Sequence, residues 1–240
     1  MEDRPTTPLY RAVLAGDLGE VRKELARGAD VNARNSDNRW TVLMVAVGEG
    51  FTDVVAALLA TPAIDVNARA ERDLTALHVA AERGDRRAVE LLLDHPGIDV
   101  NVKDHIGRTP LIIAAFAGDQ ALVELLLARP DIEVNAVDQD RQTALAWAAL
   151  GGGAAVVRVL VADPRTNPGI TNRPDGRTAL EIAIGAGNDA AAQELRQRMA
   201  SDPGDDQLPP GDHYEPRAER TTVLQEPLRP DPPEPQRPPS

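Results

Sequence analysis

Residues 75–108 read TALHVAAERGDRRAVELLLDHPGIDVNVKDHIGR, and residues 109–142 read TPLIIAAFAGDQALVELLLARPDIEVNAVDQDRQ. Laid over each other, the two stretches share a Thr, a Leu two residues on, an Ala and then a Gly. A second apolar run follows, and then an acidic residue with Val-Asn. Working outward, the same opening recurs as TPLY at Thr7, TVLM at Thr41, TALA at Thr143 and TALE at Thr178. Successive threonines are 34, 34, 34, 34 and 35 residues apart. A period held so constant means one supersecondary unit copied side by side, because a single copy cannot bury its own apolar face without a neighbour.

The period also predicts the unit. Gly16, Gly50, Gly84, Gly118, Gly152 and Gly187 stand where a first helix must stop and reverse into a second, and glycine reaches the left-handed conformation of that reversal without a Cβ clash. Pro62, Pro96, Pro130 and Pro164 end the second helices. Asn32, Asn67, Asn101 and Asn135 then open a short extended loop, where an Asn side chain is expected to bond its own turn backbone. The expected fold is all-α, with helix-turn-helix units stacked into a solenoid and joined by β-turn loops.

This unit closely resembles the ankyrin repeat, whose known signature is a β-turn and two helices with Thr-Pro-Leu-His-x-Ala at the first helix. The likeness spans residues 5 to 199. It divides the chain into a lead-in at 1–6 and copies at 7–40, 41–74, 75–108, 109–142, 143–177 and 178–199, with a proline-rich acidic tail at 200–240. The His of the motif survives only as His78, and the fifth copy has Pro168-Gly169 in place of Val-Asn. The resemblance gives His78 a structural role, hydrogen-bonding within and between copies. Polar second helices, EVRKEL in the first copy and AAAQELRQRM in the sixth, predict capping units at both ends. Lys23, Glu24, Glu194 and Arg196 are expected on the outer faces.

Composition limits function. Cysteine is absent, which removes disulfides, thiolate zinc sites and cysteine nucleophiles. The amino-terminal MEDRPTTPLY is no secretory signal, and no run approaches the ~20 apolar residues of a membrane span. Net charge is −12, from 38 acidic and 26 basic side chains. That balance disfavours nucleic acid and anionic membranes and accommodates a basic or neutral protein more easily. Lys23 and Lys103 are the only lysines, and the Arg-, Ala- and Pro-rich composition points to a GC-rich, bacterial genome. A monomer in the cytoplasm is expected. The tail holds 11 of the 20 prolines and reads as disordered. Its Pro232-to-Arg237 stretch matches a PxxPxR docking pattern, but any proline-dense tail yields such matches.

No catalytic constellation emerges. The serines are Ser36, Ser201 and Ser240, and no copy supplies a nucleophile, base and orienting acid. His95 and His105 lack the spacing that brings two imidazoles to one metal. Asp104 and Asp138 occupy one loop position in consecutive copies, the place of a turn residue that accepts backbone N–H bonds. Gly151, Gly152 and Gly153 sit in a helix–helix turn with no phosphate-cradle context. No cofactor or metal is expected.

What remains is a surface. In ankyrin proteins partners are held on the concave side by loop tips and by exposed positions of each first helix. Carried over copy by copy, those helix positions are Leu14 and Ala15, Gly48 and Glu49, Glu82 and Arg83, Phe116 and Ala117, Leu150 and Gly151, and Gly185 and Ala186. The loop tips supply Trp40, Arg72, Leu74, His105, Ile106, Arg108 and Gln139. Aromatic and Arg side chains are the usual interface anchors, and large apolar groups placed there need covering. The expected partner-binding residues are Trp40, Arg72, Leu74, Arg83, His105, Ile106, Arg108, Phe116, Gln139 and Leu150. The function this implies is protein binding. Two alternatives stay open: an acidic inhibitor or immunity protein that blocks a basic toxin or nuclease, and an enzyme or enzyme subunit.

Overall fold

The computed structural model describes residues 7–173 and 175–201. Twelve α-helices follow in pairs: α1 Pro8–Leu14 and α2 Leu18–Ala26; α3 Val42–Glu49 and α4 Thr52–Leu59; α5 Ala76–Arg83 and α6 Arg86–Leu93; α7 Pro110–Ala117 and α8 Gln120–Leu127; α9 Ala144–Trp147 and α10 Ala154–Ala162; α11 Ala179–Gly185 and α12 Asp189–Ser201. There are no strands among the described residues, only single antiparallel bridges at Arg34–Thr41 and Val137–Thr143. The proline-rich segment 202–240 lies outside the described residues, as does the amino-terminal 1–6.

Each first helix begins on its threonine. Thr7, Thr41, Thr109, Thr143 and Thr178 accept a hydrogen bond from the backbone N–H three residues on, at 3.1–3.4 Å, satisfying a donor that the helix leaves orphaned. Each pair then closes at its glycine: Gly16, Gly50, Gly84, Gly118 and Gly187 are left-handed. The next residue's N–H reaches back to the first helix, as in Asp119 to the Ala114 carbonyl at 3.1 Å. The fifth pair departs from this. Residues 148–152 form a wide π turn, and Gly153 takes φ 84° and ψ 163°, a conformation open only to glycine, where Asp85 and Asp119 cap the preceding pairs.

First helices pack on first helices, and second on second, along the whole array. In the first five pairs the leucine two residues after the threonine fills the seam: Leu9, Leu43, Leu77, Leu111 and Leu145 are at most 3 % exposed. Ile184 differs from its counterparts. Val13, Val47, Ala81, Ala115 and Ala149 are buried against the following pair, whereas Ile184, with no following pair among the described residues, is 50 % exposed. The end helices correct one expectation. Lys23 and Arg196 do face outward, but Glu24 is buried and paired with Arg27 at 2.5 Å. Glu194 turns back to Arg158 of the preceding pair.

The asparagines also behave differently from the local turn expected. Asn101 Nδ2 donates to the Asp131 carbonyl at 2.8 Å, and its Oδ1 accepts from the Glu133 N–H at 2.8 Å. Asn32, Asn67 and Asn135 make the same double bond to the next copy. The local turn bond is made instead by Asp30, Asp65 and Asp99, each accepting from the Asn N–H two residues on. The side-chain amide is thus a clamp between copies. Gly169 stands at this position in the fifth copy. We expect Asn101→Ala to cost about 1–3 kcal/mol in denaturant unfolding, because it removes two hydrogen bonds between copies, each worth about 0.5–1.5 kcal/mol net.

His78 is fully buried. Its Nδ1 accepts from the Thr75 N–H at 3.2 Å and contacts Thr75 Oγ1 at 2.9 Å, and its Nε2–H donates to the Arg108 carbonyl of the next copy at 3.1 Å. Burial pushes its pKa below the usual 6.5. The unfolded chain therefore binds this proton more readily, and stability falls as pH drops below about 6.5. The contribution is at most ~1.4 kcal/mol per pH unit. Titrating the unfolding free energy between pH 7 and 5.5 checks this, with His78→Gln expected to flatten the slope.

Candidate functional site

The candidate site is the face made by the first helices and the loop tips. The tips are tied to one another. Glu71 N–H donates to the Asn38 carbonyl, His105 to Arg72, Gln139 to Ile106 and Arg173 to Asp140, at 2.7–3.0 Å. Gln139 Nε2 adds a bond to the His105 carbonyl at 2.7 Å. Within the tips, Asp104 accepts from the Ile106 and Arg108 N–H groups. It also holds the Arg108 guanidinium at 2.8 Å. Asp138 accepts from the Asp140 and Gln142 N–H groups and from Trp147 Nε1 at 2.7 Å. Both are the turn residues that their repeated position predicts. Burial pushes the Asp138 pKa up, against its hydrogen bonds.

The exposure of the expected residues divides them. Arg72, Arg83, His105 and Gln139 are exposed, and Ile106 and Arg108 half-buried, the latter committed to Asp104. Phe116 and Leu150 stand out, at 38 % and 42 % exposed. Trp40 and Leu74 do not: both are buried, at 5 % and 3 %. For Trp40 the reason is a register relation. The residue before Thr41, like the one before Thr178, lies against the residue seven after the threonine. A Cβ on Gly48 would come within 2.9 Å of the Trp40 ring, and one on Gly185 within 3.1 Å of Arg177 Nη1. Gly48 leaves a slot that the Trp40 ring fills, so the indole belongs to the packing.

Two residues of this face were not among those expected. Trp147 packs edge-on to Phe116, with ring centroids 5.2 Å apart and planes at 84°, a favoured arrangement. Its signal was an indole at the position where other copies carry Val45, Val79 and Ile113. Leu14, a floor position by the copy alignment but left out of the expected binding residues, is 48 % exposed. Among the described residues the exposed large apolar side chains are Leu14, Phe116, Leu150 and Ile184. The first three occupy one register position, seven after the threonine.

The profile for ankyrin repeats (3 copies) matches residues 9–104, 65–138 and 111–205. The chain belongs to the ankyrin-repeat family. Solved structures agree. An ankyrin repeat domain from Acinetobacter baumannii AYE is 26 % identical with TM-score 0.72, covering 80 % of this chain and 97 % of that one. The ankyrin repeat domain of Bcl-3, a member of the IkappaB family, is 27 % identical with TM-score 0.73, covering 82 % and 87 %. A chain of the complex between the predatory endopeptidase Bd0816 from Bdellovibrio bacteriovorus and immunity protein Bd3460 is 26 % identical with TM-score 0.69, covering 81 % and 99 %. No curated protein matches the sequence. Ankyrin repeats are generally protein-interaction modules. Among the described residues no group of three acidic, His or Cys side chains is placed to hold a metal, and no helix is long and apolar enough to cross a membrane.

Proposed function

We propose that this ankyrin-repeat chain is a non-enzymatic interaction module that holds one protein partner on its concave face, acting as a cytoplasmic monomer. One observation carries the reading. Among the described residues, three of the four exposed large apolar side chains fall in a single register position on that face, where they cost solubility unless covered. Phe116 and Leu150 are the anchors, with Trp147 backing Phe116. Ile106, His105, Gln139 and Arg72 form the rim, and Arg83 adds a charge to the floor. The tips are already bonded to one another, so little conformational entropy is lost on docking.

A second reading within binding is inhibition, in which the chain covers the active site of a basic toxin or nuclease. It is favoured by the net charge of −12 and by the likeness to a chain of an endopeptidase–immunity protein complex. Affinity capture with mass spectrometry tests both. We expect the Phe116→Ala, Leu150→Ala double variant to lose the captured protein and Arg22→Ala, on an exposed second-helix position, to keep it. Capture unaffected by the double variant would remove the concave-face reading. If the captured protein is an enzyme whose activity falls in proportion to added chain, the inhibitor reading stands.

A further inference from the structure

The floor of the concave face is a file. The two residues ahead of each turn glycine run Leu14-Ala15, Gly48-Glu49, Glu82-Arg83, Phe116-Ala117, Leu150-Gly151 and Gly185-Ala186. The exposed apolar groups on it are therefore strung out one per copy, with Gly48 and Glu82 between Leu14 and Phe116. A folded partner is held by a compact patch, in which anchors cluster near the centre. A single file suits a chain running along the array.

The charges on this file are Glu49, Glu82 and Arg83. Arg83 leans toward the preceding copy, its Nη2 3.5 Å from where a Cβ of Gly50 would stand. Glu82 has no ion-pair partner among the described residues. The cation that acts on it, Arg108, is committed to Asp104 at 2.8 Å. Partial desolvation pushes the Glu82 pKa up, so a cation brought to it in a partner would be stabilised more than at a fully solvated carboxylate.

We propose that this face takes an extended segment of a protein partner, with a basic side chain against Glu82 and apolar side chains against Leu14 on one side and Phe116 and Leu150 on the other. The inference rests on the concave-face reading above. Helices pack about 10 Å apart and an extended chain advances about 3.3 Å per residue, so each copy spans about three residues of the segment. The basic residue should then lie about six positions from the Leu14 contact and about three from the Phe116 contact, with the Leu150 contact about three further.

The test is a displayed library of random 16-residue peptides selected on the full chain, with affinities of selected peptides measured by fluorescence anisotropy. Enriched sequences should show this apolar–basic–apolar spacing. Glu82→Gln should weaken a selected peptide about tenfold, and replacing its Lys or Arg by Met should weaken it equally, the two changes together costing no more than either. Peptides without the basic position, binding indifferent to Glu82→Gln, or a library that yields no enrichment would each overturn the inference. Selected peptides that ignore Glu82→Gln yet are lost in the Phe116→Ala, Leu150→Ala variant would leave the concave-face reading standing. Peptides indifferent to both would count against that reading as well.

Discussion

Trp40→Ala is expected to destabilise the protein by ~3–5 kcal/mol, the range for truncating a buried large aromatic side chain. The indole is 5 % exposed, and its ring occupies the space in which Gly48 carries no side chain. Nothing nearby can fill the resulting void without moving the loop, because the Trp40 N–H is bonded to Asn35 and Asn38 side chains at 2.9 and 3.1 Å. The complementary change, Gly48→Ala, places a methyl 2.9 Å from the ring and should cost ~1–3 kcal/mol by overpacking. Denaturant unfolding of the two variants and their combination checks the relation. Because the partners touch, the double variant should deviate from additivity. A Trp40→Ala cost under about 1 kcal/mol would show that the indole stands free after all.

The second large effect separates core from surface within one helix. Leu111 is 1 % exposed in the seam between copies, and Phe116, five residues on, is 38 % exposed. Leu111→Ala should cost ~2–5 kcal/mol of stability, losing binding only as the fold is lost. Phe116→Ala gives up an edge-on contact with Trp147, worth about 0.5–1.5 kcal/mol, plus a partly buried ring. It should cost ~1–2 kcal/mol of stability while weakening partner binding by ~2 kcal/mol or more. The measurement is paired: unfolding by denaturant, and affinity for the captured protein or a selected peptide. Equal destabilisation by both changes would place Phe116 in the core and remove the anchor from the binding face.

The architecture was legible because it repeats. A threonine that caps a helix, a leucine in every seam and a glycine at each reversal act through local geometry or through the adjacent copy. Their 34-residue spacing therefore specifies both the unit and its stacking. The turn roles of Asp104 and Asp138 were legible for the same reason. The structural role of His78 and the positions of Phe116 and Leu150 came from the family resemblance and the copy alignment.

Tertiary structure decided what lies between positions distant in the repeat. Trp40 is packing because Gly48, eight places later, leaves room for its ring, a match of sizes that no single copy's pattern announces, and Leu74 in the same column is buried as well. The asparagine clamps needed the neighbouring loop, 30 to 33 residues away, to be brought within 2.7–2.9 Å. Glu24 and Glu194 are covered in the folded array, their carboxylates paired with Arg27 and Arg158. Periodicity reports which face a side chain leaves from. What that side chain meets there is set by the shape and charge of its neighbours, which only the folded array brings together.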